Sequence, residues 1–172
     1  KWYGRWFDRG QGESDVGQYD EPEVMPALCG ALLFCRQKAL QSLQALLASG
    51  VTARRICVEN LDYDFALAAP IVHQLDLSVC MDMGHLVAQG ADLGAFYAHW
   101  RDRVAMIHLH GVEGGRDHLP LARLAPAYRQ AAMQILSVCS TAVSLEVFTY
   151  EALNASMGCL TQLWREHKSE KA

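Results

Sequence analysis

Three stretches decide the architecture: Arg55-Ile-Cys-Val-Glu59, Leu77-Ser-Val-Cys-Met-Asp82 and Val104-Ala-Met-Ile-His-Leu-His110. Each is an apolar run of strand length. Each gives way to a segment with apolar residues at helical spacing, about Phe65 to Leu75, Asp92 to Arg101 and Leu121 to Val138. Continuous apolar runs of this length suit strands buried on both faces, as in parallel sheets. A fourth run, Ala142-Val-Ser-Leu-Glu146, precedes a helix from Tyr150 to about Glu166, and no tight hairpin signal separates the four. The pattern is that of parallel β/α units, in an open doubly wound sheet or a barrel. No G-x-G-x-x-G or G-x-x-x-x-G-K-[ST] follows any strand, so the dinucleotide and P-loop forms of the open sheet lose support and the barrel is favoured.

Upstream of these units, Ala27 to Ser49 carries apolar residues at helical spacing (Leu32, Leu33, Leu40, Leu43, Leu46, Leu47), and Gly50 stands where a helix C-cap belongs. This predicts one long helix. Residues 1–26 hold no period of 2 or 3.6 and end on Pro22 and Pro26, which reads as a loop or arm preceding a barrel domain over 27–172. The chain opens on Lys1-Trp2-Tyr3-Gly4, without an initiator Met or the layout of a signal peptide, and so reads as processed or as a fragment.

The 172 residues are 51% hydrophobic and 20% charged, which suits a globular fold and excludes a disordered polymer. Fifteen Lys and Arg stand against 19 Asp and Glu, a net charge of -4, so no basic field exists to hold a nucleic-acid backbone. The aromatic and basic residues of the arm are diluted by six acids between Asp8 and Glu23. The longest apolar stretch, Met25 to Phe34, is shorter than the roughly twenty residues a membrane span needs. Six cysteines lie mostly in apolar runs with no C-x-x-C, pointing to free thiols and a cytoplasmic location.

Glu59, Asp82, His108 and Glu146 each interrupt an apolar run inside or at the end of a strand. Strand C-termini are where parallel α/β folds assemble sites, and four ionisable groups there are costly to bury unless they pair or share a cation. Carboxylates and imidazoles are ligands that Mn, Zn or Mg accept, so the four predict a divalent metal site. His108 and His110 have the same strand parity and face the same side, and only one need be a ligand. Asp117 and His118 fall in a Gly-rich loop, Gly114 to Pro120. His85 follows Asp82 by three residues, and Gly84 permits a sharp turn carrying it over the site.

The strings ICVENLDYDF, CMDMGHL, IHLHGV, RDHLPL and SLEVF, between Arg54 and Trp164, resemble the xylose-isomerase-like barrel superfamily. That superfamily includes sugar-phosphate isomerases, epimerases and abasic-site nucleases of the endonuclease IV type. Within it the strings look most like the cobamide-remodelling phosphodiesterases, which open the nucleotide loop of B12-type corrinoids. The resemblance implies an α/β fold, a (β/α)8 TIM barrel represented by an incomplete C-terminal portion, about strands 4 to 8. Copies of the chain would complete one another in a homo-oligomer, or the first strands are missing.

The resemblance also implies roles. Glu59, Asp82, His108 and Glu146 match the central metal ligands, with Glu59 bridging in multi-metal members. His85, Asp117 and His118 match the ligands of a further metal, although here Asp117 and His118 are adjacent rather than one residue apart. One to three divalent ions are implied, with Glu59, Glu146 and His110 in catalysis and Asn60 and Arg116 binding substrate. The leading expectation is metal-activated hydrolysis of a phosphodiester in a small corrinoid, with Arg116 pairing the phosphate charge. The alternatives are a metal-dependent sugar or sugar-phosphate isomerase or epimerase, with Glu59 and Glu146 as the acid/base pair, and a non-catalytic corrinoid- or metal-binding module. A nucleic-acid or membrane partner is not expected.

Overall fold

In the computed structural model the described residues are 27–169, with side chains described from Lys38 onward, and the arm expected over 1–26 lies outside them. The described residues divide into two compact units, one holding 27–53 and 66–76, the other holding 54–65 and 77–169. The first contains helices α1 (Ala27–Ala48) and α2 (Ala69–Gln74). The expected stop of α1 is present: Gly50 has φ +98, and the Gly50 and Val51 N–H groups return to the Leu47 and Leu46 carbonyls.

The second unit is α/β, a four-stranded parallel sheet with flanking helices. Its strands β1 (Cys57–Glu59), β2 (Ser78–Asp82), β3 (Val104–Leu109) and β6 (Ala142–Leu145) neighbour one another in chain order. A short hairpin of β4 (Gly111–Glu113) and β5 (Arg116–Leu119) stands apart from them, and the unit's helices are α3 (Met83–Ala88), α4 (Leu93–Trp100), α5 (Pro126–Leu136) and α6 (Tyr150–Ser169). Val79, Met81, Ile107 and Leu109 alternate onto one sheet face and are buried there. At the edge of this unit Phe65 meets Phe96 and Trp100 edge-to-face, with ring centres 5.5 and 5.3 Å apart.

Register decides what the other face carries. Glu59 pairs with Cys80, Cys80 with Met106, Asp82 with His108, and His108 with Ser144. Partners in a parallel ladder point to the same side, and so do residues two apart. Glu59, Asp82, His108 and Glu146 therefore share a face opposite the apolar one.

Three sequence expectations need correction. The strand expected to run through His110 ends at Leu109, because the chain turns there into a hairpin. That hairpin replaces the expected loop around Asp117 and His118. Its closing pair is Glu113 and Arg116, and its two turn residues, Gly114 and Gly115, have φ +60 and +75, the left-handed pair a type I′ turn requires. Third, His85 lies not on a loop but in the first turn of α3, where Asp82 serves as N-cap and accepts the His85 N–H at 2.8 Å.

Candidate metal centre

Four consecutive parallel strands bring Glu59, Asp82, His108 and Glu146 together, each offering one ligand atom within 4.8 Å of the others. Three carboxylates surround a single nitrogen: His108 Nδ1 is 2.6 Å from Glu59, 3.3 Å from Glu146 and 3.8 Å from Asp82. One imidazole cannot balance three anions, and in a half-buried setting their repulsion is poorly screened.

Asp82 is the most enclosed of the four, with no exposed surface. Its Oδ1 takes the His85 N–H and faces His110 Nε2 at 3.1 Å, while Oδ2 has no hydrogen-bond partner and points into the cluster. An orphaned buried carboxylate oxygen among two further carboxylates and an imidazole fits a divalent cation, and an oxygen-rich set with one nitrogen suits Mn, Zn or Mg. Cys80 also lies within reach of Glu59 and His108. Burial, and then the Glu59 charge, pushes its thiol up to about 12 in the metal-free protein.

A second group, His85, His110 and His118, converges beside the first. His110 Nδ1 accepts the His118 N–H at 3.0 Å and lies 3.3 Å from the Gly111 carbonyl, while Nε2 faces Asp82 Oδ1 at 3.1 Å. The three imidazoles each offer a nitrogen that a second cation could take. Asp117 stands 3.9 Å from His85 and 3.2 Å from His118, and the His118 contact holds its carboxyl below the ordinary 3.8. Rings order this part of the site: His118 stacks on His110 at 4.2 Å and Phe148 stacks on His118 at 4.7 Å. His118 itself has φ +51, a left-handed backbone uncommon outside glycine, and it is held there by that stack and by its N–H bond to His110.

Two residues expected to act directly are buried. His110, expected in catalysis, is 1% exposed and faces Asp82 Oδ1 at 3.1 Å. Asn60, expected to touch substrate, is also 1% exposed. Its amide both donates to the Asp82 carbonyl at 2.8 Å and accepts the Asp82 N–H at 2.9 Å, tying the end of β1 to the end of β2. Tyr63 secures the same corner by donating to the Glu59 carbonyl at 2.7 Å. Arg116 is exposed on β5. Sequence reasoning gave Phe148 no role, although it closes the SLEVF string two residues after Glu146.

The Asp82 environment predicts a pH response. Burial by itself raises its carboxyl, but the His110 side chain, the His85 N–H and the charges of both imidazoles together hold it below the ordinary 3.8. A depressed folded-state pKa stabilises the fold above the unfolded value and loses that contribution as pH falls through the folded one. Urea midpoints of the metal-free protein should therefore drop on acidification below about pH 4. Asp82→Asn should flatten that slope; an unchanged slope would show that Asp82 is not held ionised.

No protein-family model matches the chain, and no curated protein matches it. Among the described residues no helix is long and apolar enough to cross a membrane.

Proposed function

We propose that the protein is a divalent-metal-dependent phosphodiesterase on a xylose-isomerase-like (β/α)8 framework, of which this chain carries about strands 4 to 8. The observation that carries the proposal is the convergence of Glu59, Asp82, His108 and Glu146 with an unpartnered Asp82 oxygen inside it. The barrel reading is supported by strand neighbours that follow chain order without a switch point. It is supported too by the stagger of the acids, Glu59 standing level with Cys80 and Asp82 level with His108.

A divalent ion in this site supplies Lewis acidity toward a phosphoryl oxygen and lowers the pKa of water. Glu59, Asp82, His108 and Glu146 would hold it, and His85 and His118 would hold a second. Glu146 is the most open of the four, its side chain 35% exposed, and in this reading it would take the proton of an attacking water. Arg116 is available on the exposed hairpin to meet phosphate charge. The His85 and His118 pair favours hydrolysis over the isomerase alternative, because an enediolate mechanism on one metal has no use for it. Sequence resemblance suggests the nucleotide loop of cobamides as the substrate, and a small soluble substrate in the cytoplasm fits the acidic composition.

The direct test is hydrolysis of bis(4-nitrophenyl) phosphate by protein dialysed free of metal and then titrated with Mn(II), Zn(II) or Mg(II). Turnover should be at background without metal and return with one to two equivalents. Metal uptake without turnover of this ester or of a cobamide would overturn the hydrolase reading.

A further inference from the structure

Phe148 is 80% exposed, an unusual setting for so large an apolar side chain beside a polar cluster. It is nonetheless ordered by contact: its ring lies on His118 with centres 4.7 Å apart and planes 19° apart. His118 in turn lies nearly parallel to His110, planes 9° apart, and His118 Nε2 is 3.6 Å from Glu146 Oε2. Phe148 is therefore the last member of a three-ring stack that begins in the buried interior and ends in solvent. Its inner face is taken by His118 and its outer face is open. A stack that terminates on an exposed aromatic, one imidazole away from a candidate metal ligand, is shaped to continue with another flat ring.

We propose that Phe148 is a substrate-stacking residue that receives a planar aromatic or heteroaromatic ring carried by the phosphoester. The inference rests on the hydrolase reading above and deepens it by assigning the residue that receives the substrate's ring: the phosphate reaches the Glu146 side of His118 while the ring, joined through a spacer, covers Phe148. Stacking is tolerant of the ring's identity because every flat π-system offers the same face. Phe148 thus selects for the presence of a ring rather than for a particular base.

The test is calorimetric binding to Mn(II)-loaded protein of two product-like monoesters, adenosine 5′-monophosphate and ribose 5-phosphate, which differ by the ring alone. The wild type should bind the adenosine ester about tenfold more tightly, in line with alanine substitutions at base-stacking sites. Phe148→Ala should erase that difference while leaving ribose 5-phosphate unchanged, and Phe148→Trp should keep it. Equal affinity of the wild type for the two esters overturns the inference and leaves the hydrolase reading standing. A loss in Phe148→Ala that is equal for both esters also overturns it, because the residue would then act only by bracing His118. If neither ester binds metal-loaded protein, the inference and the hydrolase reading fall together.

Discussion

Glu59→Gln is expected to abolish divalent-metal binding while leaving the metal-free fold intact or slightly more stable. Glu59 makes the shortest contact of the cluster, 2.6 Å to His108 Nδ1, and it belongs to both ligand groups that include His108. The amide keeps the shape of the carboxyl and loses its charge. In metal-free protein that removes one of three mutually repelling carboxylates, so stability should not fall. With metal the sign reverses, since ligand binding stabilises the native state in proportion to its affinity. Loss of even an outer-shell partner lowers metal affinity about ten- to a hundredfold, and loss of a direct carboxylate ligand should exceed that. Thermal denaturation with and without Mn(II), together with elemental mass spectrometry, separates the two effects. The wild type should show a metal-dependent rise in Tm that Glu59→Gln lacks, and diester hydrolysis should vanish with it. A variant that retains the full Mn(II)-induced rise would remove Glu59 from the ligand set.

Gly84→Ala should damage the site severely for a change of one methyl group. A Cβ at this position would stand 2.0 Å from His110 Cε1 and 2.3 Å from Nε2. Within a helix, alanine normally gains about 1 kcal/mol over glycine. Here His110 has nowhere to go: it is 1% exposed, faces Asp82 at 3.1 Å and carries the stacked His118 ring on its face. Forcing an extra methyl into a well-packed interior costs about 1–3 kcal/mol or more, so a net loss of about 2 kcal/mol is expected. Hydrolysis should fall as well, because a displaced His110 no longer orients Asp82. Removing the obstacle should reverse the sign, so in a double-mutant cycle Gly84→Ala combined with His110→Ala should be far less damaging than the sum of the two. Urea denaturation of the four proteins measures this. A Gly84→Ala protein as stable as the wild type would mean that the ring is not wedged against α3.

The glycine shows how legibility divided between levels. In the sequence, Gly84 reads as a residue allowing a sharp turn that would swing His85 over the site. In the structure it sits in a regular helix and is needed for the room it leaves. Backbone freedom and missing volume look identical in a one-letter code, and only the neighbour across the gap tells them apart. The hairpin divided in the opposite way. Gly114-Gly115 is a strong two-residue turn signal, but the flanking Gly111–Glu113 and Arg116–Leu119 segments are too polar and short to announce strands, so the turn was read as part of a loop.

Local chemistry alone determined the four parallel strands, the helices after them and the acids and histidine at the strand ends, because each is written in a period or in a polar residue interrupting an apolar run. Parity put His108 and His110 on one side of their strand, while the face shared by Glu59, Asp82, His108 and Glu146 needed the register of the sheet. Tertiary structure alone decided what each polar group does. Asn60 and His110 have the composition of substrate-facing residues and instead hold Asp82 from two sides. Phe148, an aromatic in a loop, ends the His110 and His118 stack. The reason is physical: periodicity is a property of neighbours along the chain, whereas a hydrogen bond, a tautomer or a stacked ring depends on a partner tens of residues away, whose distance is set only when the sheet closes its register.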